Sequence, residues 1–181
     1  MKKLLVATIA IAMGFAAQAA SYSWKCDSYL NNGDGDYGPL ENTTAYLFNA
    51  GTLSQADMVA AFYAGTLDLA ESAIASSSAT MDGVALGKFD YTGASTDWTA
   101  YFAVIQNDKL YISDTATAPY SDVGTAPIIF GDQDAASNAT FADNSAYAGA
   151  GWYAAGAVPE PTSGLLLLIG VAGLALRRKQ A

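Results

Sequence analysis

The chain has 181 residues, of which 52% are hydrophobic and 14% are charged, and its formal net charge is −9 at pH 7. It contains no histidine and one cysteine. The lack of histidine excludes Ser-His-Asp and Cys-His catalysis and His-ligated zinc, and a single cysteine excludes an intramolecular disulfide.

The N-terminal segment has the three parts of an export signal. Lys2-Lys3 forms a positive start, Leu4–Phe15 is apolar, and Ala17-Gln18-Ala19 is a small-x-small cleavage site. The apolar stretch is too short to span a bilayer. We predict a signal peptide over residues 1–19, which passes the Sec translocon and is removed by signal peptidase. An uncleaved anchor or a buried helix is the alternative.

Acidic residues dominate the segment between the two ends of the chain. One of the 17 acidic residues and five of the 8 basic residues lie in the end segments, so residues 20–157 keep 16 acids and 3 bases, a net charge of −13. Contacts to phosphate need lysine and arginine, so we expect no nucleic-acid partner. The charge favours solubility and partners that are neutral, basic or cationic.

The single cysteine, Cys26, lies just inside the predicted mature N-terminus. No lipobox precedes it, because Gln18-Ala19-Ala20 is not followed by cysteine. We therefore predict an ordinary buried or semi-buried thiol, since free cysteine commonly packs as a small hydrophobic residue. Pairing with another chain or reaction with lipid is the alternative.

Residues 31–39 form a loop rich in asparagine, aspartate and glycine. Asn32, Asp34 and Asp36 alternate like the first ligands of an EF-type calcium loop. The pattern then departs, because the turn position lacks glycine and Thr43 stands where the twelfth-position glutamate is expected. We predict a solvated turn here, with calcium binding as the alternative.

A strand and a helix are predicted next. Residues 44–49 have the composition of a strand. Ser54, followed by Asp57 three positions later, resembles a capping box, and an apolar stripe continues to about Ala75. We therefore expect one main helix over residues 54–75, with Gly65 as a point where it bends or is interrupted.

The clearest β signal follows the helix. Trp98–Ile105 is apolar on both alternating faces, as in a central strand, and Asn107-Asp108 supplies a tight turn into a returning strand. Shorter strands are expected at residues 84–91 and 127–130. The predicted fold is α+β: a single small domain over residues 20–153, with an antiparallel sheet around this central hairpin and one main helix, followed by a linker over residues 154–158.

The C-terminal segment has three parts in a fixed order. Pro159-Glu160-Pro161 is held extended by its prolines, an apolar run reaches Leu176, and Arg177-Arg178-Lys179 closes it. We predict a transmembrane helix over residues 163–176, whose short apolar length suits a temporary anchor, with the cations in the cytoplasm. A buried core helix is the alternative, but it does not explain the cations.

Together these parts resemble the PEP-CTERM sorting signal of exported proteins in certain Gram-negative bacteria. The resemblance covers residues 158–181. It implies that Pro159, Glu160 and Pro161 are recognised by an exosortase, a polytopic membrane transpeptidase with a cysteine nucleophile, and that the helix and basic cluster are removed. It also implies a transient stay in the inner membrane before the protein reaches the cell surface or the extracellular matrix, in organisms that make extracellular polysaccharide.

No pattern within residues 20–157 places two acidic residues at a spacing typical of catalytic pairs. We therefore expect no enzyme activity and no catalytic, cofactor-binding or metal-binding residues. The sequence favours a structural surface or matrix protein in a polysaccharide-rich envelope. The alternative is a glycan- or calcium-binding surface module that uses exposed aromatic side chains such as Tyr120, Trp152 and Tyr153.

Overall fold

The computed structural model describes residues 19–32, 40–142 and 146–154. Strands hold 46% of the described residues and helices 14%, so the fold is mostly β and the predicted α+β class is wrong. The strands are β1 (Ala20–Cys26), β2 (Thr43–Asn49), β3 (Ala75–Thr80), β4 (Gly83–Tyr91), β5 (Trp98–Gln106), β6 (Lys109–Ile112), β7 (Ala116–Ala118), β8 (Thr125–Phe130), β9 (Thr140–Ala142) and β10 (Gly151–Ala154). The helices are α1 (Gln55–Tyr63), α2 (Leu69–Ser72) and α3 (Asp134–Asn138).

The ten described strands belong to one sheet. Nine of them follow the order β8-β1-β4-β3-β2-β5-β6-β10-β9, and β7 pairs with the beginning of β5. Most neighbours are antiparallel, but β1 pairs with β8 in parallel and β10 pairs with β9 in parallel. The predicted antiparallel sheet is therefore a mixed sheet.

The sheet is strongly curled, as contacts between rings on distant strands show. β5 and β8 are five steps apart in the strand order, which would separate them by about 24 Å in a flat sheet. Yet the ring centroids of Phe102 on β5 and Phe130 on β8 lie 4.9 Å apart. Trp24 on β1 also reaches Phe102, at 6.0 Å. The sheet thus forms a half-barrel that encloses its own core.

Strand β5 is buried on both faces, which confirms the prediction of a central strand. Its even-numbered residues point into the half-barrel, where Phe102 and Val104 join the larger core cluster. Its odd-numbered residues Tyr101 and Ala103 join a second cluster on the outer face, which includes Met58 and Val59 of α1. The double burial arises because the curled sheet covers one face and the helical segment covers the other.

The predicted hairpin is confirmed as β5–β6. Gln106 pairs with Lys109 across a two-residue turn, and Asn107 and Asp108 have φ values of 51° and 58°. Two successive positive φ values define a type I′ turn, whose twist matches that of the flanking strands. Asparagine and aspartate tolerate this left-handed conformation better than other residues with a side chain.

The predicted helix over residues 54–75 is wrong in its length. It starts as expected, with the Ser54 side chain accepting a hydrogen bond from the Asp57 N–H. It ends at Tyr63 because Gly65 adopts a φ of 68°, and the N–H groups of Gly65 and Thr66 donate back to Phe62 and Ala61 in a Schellman motif. After α2, residues 75–80 form β3, where the sequence predicted only the end of the helix.

The strand predicted at residues 84–91 is confirmed as β4, and the one at 127–130 begins two residues earlier in β8. Pro127 is compatible with β8 because this strand lies at the edge of the sheet. Strand β1 was not predicted, although apolar and polar residues alternate along its sequence, and the same residues alternate between buried and half-buried in the structure. That alternation is the ordinary signal of a strand with one covered face.

Candidate functional site

Most of the predicted sorting and processing residues lie outside the described residues. These are Ala17, Pro159, Glu160, Pro161, Arg177, Arg178 and Lys179. The helix predicted over residues 163–176 also lies outside them. None of the three described helices combines the length and hydropathy needed to cross a membrane. The structure does show the two points at which the folded domain adjoins the predicted signals.

The predicted signal-peptidase site directly precedes the first strand. Ala19 is exposed, whereas Ala20 begins β1, is buried and pairs with Tyr91. Cleavage between Ala19 and Ala20 would therefore release the leader without removing a residue from the sheet. The alternation of β1 was the signal in the sequence that could have located this junction.

At the other end, the chain is fixed in the sheet until shortly before the Pro-Glu-Pro tripeptide. β10 ends at Ala154, the first residue of the predicted linker, and Ala154 pairs with Lys109 on β6. The Tyr63 hydroxyl of α1 donates to the Ala154 carbonyl at 3.0 Å. Ala154 is therefore a firm attachment point five residues before Pro159.

Several carboxylates of the domain serve local backbone structure. Asp57 bonds with the N-cap residue of α1, Asp68 caps α2, and Asp97 accepts from the Tyr120 N–H at 2.8 Å. Within residues 19–32, 40–142 and 146–154, no three histidine, cysteine, aspartate or glutamate side chains come together as metal ligands. In the calcium-loop alternative, Asp34 and Asp36 lie outside the described residues.

Two of the three aromatic side chains proposed for glycan binding are in the core. Trp152 is 1% exposed and Tyr153 is 0% exposed, so the expectation of an exposed aromatic pair is wrong. Both belong to β10, where Tyr153 faces the outer cluster and Trp152 the inner one. Tyr120 is half-buried against the inner cluster. The sequence around Trp152 gave no strand pattern, which is why its burial was missed.

Cys26 is buried at the end of β1, which confirms the predicted buried thiol. Burial raises the pKa of this thiol above its ordinary value, although hydrogen bonding with Ser28 acts in the opposite direction. A raised pKa disfavours the thiolate, which is the nucleophilic form of cysteine. Cys26 therefore has the environment of a structural residue and not that of a reactive one.

Three grooves among the described residues are open to solvent. One of about 340 Å³ lies between the beginning of β2 and α2, and its lining includes Tyr46, Ile105 and Asp68. Asp68 accepts a hydrogen bond from the Glu71 N–H at 3.1 Å as the cap of α2. The carboxylate in this groove is therefore occupied by a helix terminus.

The C-terminal segment identifies the class to which the protein belongs: it is an exported protein with a sorting signal behind its folded domain. Residues 157–179 match the family described as the PEP-CTERM protein-sorting motif. The chain therefore carries a PEP-CTERM sorting signal, which implies export, recognition by an exosortase and transient passage at the membrane on the way to the cell surface. No curated protein and no solved structure matches the chain.

Proposed function

We propose that the folded domain is a non-enzymatic structural component of a polysaccharide-rich cell surface or extracellular matrix of a Gram-negative bacterium. The observation that supports this role is the way in which the domain uses its polar and aromatic side chains. Of the aspartates discussed above, Asp57 and Asp68 stabilise helix N-termini and Asp97 holds the backbone of Tyr120. The large aromatic side chains fill the two core clusters. A domain of this kind offers a stable body with an acidic surface.

The acidic surface fits such a role. Removal of both end segments leaves a net charge of −13, so the domain stays soluble and repels other anionic chains and anionic lipid. In a hydrated matrix, this charge would hold cations and water around the domain. We further propose that the protein enters through the Sec translocon, loses residues 1–19 to signal peptidase, and loses its C-terminal helix and basic cluster to the exosortase.

Mass spectrometry of the mature C-terminus tests this maturation. In cells that contain the exosortase, we expect the surface form to lack Arg177-Arg178-Lys179, and in cells without it we expect the full C-terminus. Glu160→Ala should resemble the deletion of the enzyme, whereas Glu41→Ala, which changes an exposed acid in the folded domain, should be processed normally. A surface-located form with an intact basic cluster would contradict the proposed cleavage.

Binding experiments separate the structural role from the alternative, a glycan- or calcium-binding surface module. Because Trp152 and Tyr153 are buried, they are not exposed for glycan binding, as the glycan-binding hypothesis requires. For a structural component, we expect calorimetric titration of the exported domain with Ca²⁺ and with the extracellular polysaccharide to give no saturable heat. Its retention in isolated matrix should nevertheless resist washing. A saturable signal with either ligand would favour the binding module.

A further inference from the structure

The register of the sheet places the two exits of the chain at opposite ends of the fold. Ala20 pairs with Tyr91, at the end of β4 that lies far from the β3–β4 turn. Ala154 pairs with Lys109, beside the β5–β6 turn. The beginning of β2 lies beside the β3–β4 turn, because Thr43 pairs with β3 next to that turn. Since β2 runs antiparallel to β5, the end of β5 and the β5–β6 turn lie at this same end. The N-terminal and C-terminal exits therefore point in opposite directions.

The separation between these ends follows from strand length. β4 and β5 each have nine residues. Eight steps of about 3.3 Å correspond to ~26 Å along a strand. The Ala20 end also carries the loop between β7 and β8, because Ala118 pairs with Trp98 and Thr125 pairs with Ser21. Asp122, exposed in that loop, marks the N-terminal end of the sheet.

The sorting tripeptide cannot move far from the opposite end. Ala154 is held by the β10–β6 ladder and by the Tyr63 hydroxyl. Five residue steps join Ala154 to Pro159, and a fully extended chain advances at most about 3.6 Å per residue. Pro159 therefore stays within about 18 Å of Ala154, and Pro161, two residues further on, within about 25 Å.

We propose that the C-terminal rim, formed by Asn107, Asp108, Lys109 and Ala154, is the face that the domain turns toward the membrane surface while its sorting signal is attached. The N-terminal end of the sheet then points away from the membrane. This inference rests on the proposed anchoring of the C-terminal helix in the bilayer. Asn107 and Asp108 are exposed, and burying such polar groups in hydrocarbon is costly, so the rim faces the headgroup layer and does not insert.

A membrane-facing rim has a consequence for the sorting step. The exosortase must accept the tripeptide in the space directly below a folded domain, because the sheet does not release Ala154 without breaking the β10–β6 ladder. The length of the segment between Ala154 and Pro159 is therefore a physical requirement of sorting. The freed N-terminus does not compete for that space, since it lies at the other end of the strands.

Fluorescence quenching tests the orientation on the chain that has lost residues 1–19 and keeps its whole C-terminal segment. The chain is reconstituted into vesicles of the zwitterionic lipids phosphatidylethanolamine and phosphatidylcholine that contain a headgroup-labelled quencher lipid. A fluorophore is attached to Asp108→Cys on the C-terminal rim or to Asp122→Cys at the opposite end. Cys26 is buried and its thiol pKa is raised, so the native cysteine should label slowly, and wild-type protein measures that background.

We expect loss of most of the fluorescence at position 108 and little loss at position 122. Asp108 has a positive φ, so a second variant, Asp82→Cys in the β3–β4 turn at the same end, keeps the test available if Asp108→Cys does not fold. Equal quenching at both ends, stronger quenching at 122, or none at either position in chains that float with the vesicles would overturn the orientation. Chains that do not float would overturn the proposed anchor as well.

Discussion

The two faces of strand β5 are buried by different means. On the inner face, three indole N–H groups, those of Trp24, Trp98 and Trp152, and the Tyr22 hydroxyl are buried with no hydrogen-bond partner in the part of the chain that the structure describes. On the outer face, the Tyr101 hydroxyl donates to the Leu53 carbonyl at 2.9 Å, and the Tyr153 hydroxyl donates to the Gly149 carbonyl at 2.6 Å.

The difference shows how a small acidic domain without disulfides is held together. The inner face depends on aromatic packing, with ring centroids between 4.9 and 6.3 Å apart around Trp24, Phe102 and Phe130. The outer face combines packing with hydrogen bonds that tie helix α1 and the loops to the sheet. Removing a ring should therefore matter most inside the half-barrel, whereas removing a hydroxyl should matter where that hydroxyl has a partner, as those of Tyr101 and Tyr153 on the outer face do.

The largest expected effect comes from emptying the inner face. Trp24 is 0% exposed, and its indole lies so close to Gly87 that a Cβ there would be 2.6 Å from the indole nitrogen. Trp24→Ala should lower the free energy of unfolding by about 4 kcal/mol, because it removes a large buried side chain and leaves a cavity. Val123→Ala, at a position that is 80% exposed, should change it by less than about 0.5 kcal/mol.

Urea unfolding followed by far-UV circular dichroism measures both variants. A loss at Trp24→Ala no larger than that at Val123→Ala would contradict the view that ring packing holds the inner face. The same measurement on Gly87→Ala tests the contact between Gly87 and Trp24, because the added methyl group requires the Trp24 ring to shift. We expect that variant to be destabilised by about 1–3 kcal/mol.

Buried tyrosines should make the domain sensitive to alkaline pH. Burial raises the pKa of Tyr101 and that of Tyr111 well above their ordinary value of 10.0. Above pH 10 the unfolded chain loses these protons while the folded chain keeps them, so stability is retained below pH 10 and falls as pH rises above it. The expected slope is about 1.4 kcal/mol per pH unit for each such tyrosine.

The pH dependence of the urea midpoint between pH 9 and about pH 11 checks this slope. Tyr111→Phe should make the alkaline decline shallower by one tyrosine's share, although it also removes the 3.3 Å contact with Gln133 and lowers stability at neutral pH. A midpoint that does not change above pH 10 would contradict the prediction.

The fold could be predicted from the sequence where one segment determines its own structure. The β5 strand, the Asn107-Asp108 turn and the Ser54 cap were all predicted correctly, because each depends on residues within a few positions of one another. The α+β class was wrong because the apolar spacing from Met58 to Ile74 also fits a short helix followed by a strand. Tertiary pairing decides between them, since the Ile74 N–H donates to Leu47 of β2 at 2.9 Å.

The candidate site shows the same division. The sorting motif depends on a local order of residues, and the family match over residues 157–179 confirms it. The burial of Trp152 and Tyr153 depends on the pairing of β10 with β6, two segments about forty residues apart. No local sequence pattern predicts this pairing. Burial of that pair could not be inferred from a weakly patterned stretch of small and polar residues.

On the outer face, Tyr101→Phe removes a hydroxyl that has a partner. Tyr101 is 0% exposed and stacks on Phe48 at 5.4 Å, so the ring should remain in place. The lost hydrogen bond leaves the Leu53 carbonyl without this donor. We expect a loss of about 1 kcal/mol in the free energy of unfolding, measured by urea titration at neutral pH. No measurable loss would show that water replaces the hydroxyl at Leu53 without cost.

The smallest effect is expected for Tyr22→Phe, the matched change on the inner face. The Tyr22 ring is 0% exposed, stacks on Phe89 at 5.5 Å and meets Trp98 edge-on at 5.6 Å, and these contacts do not involve the hydroxyl. Because that hydroxyl has no partner among the described residues, its removal deletes a buried polar group without breaking a bond. The free energy of unfolding should stay within about 0.5 kcal/mol of wild type or rise. A loss as large as that of Tyr101→Phe would mean that a bound water or other partner satisfies Tyr22, and the contrast between the two faces would then be one of solvation and not of bonding.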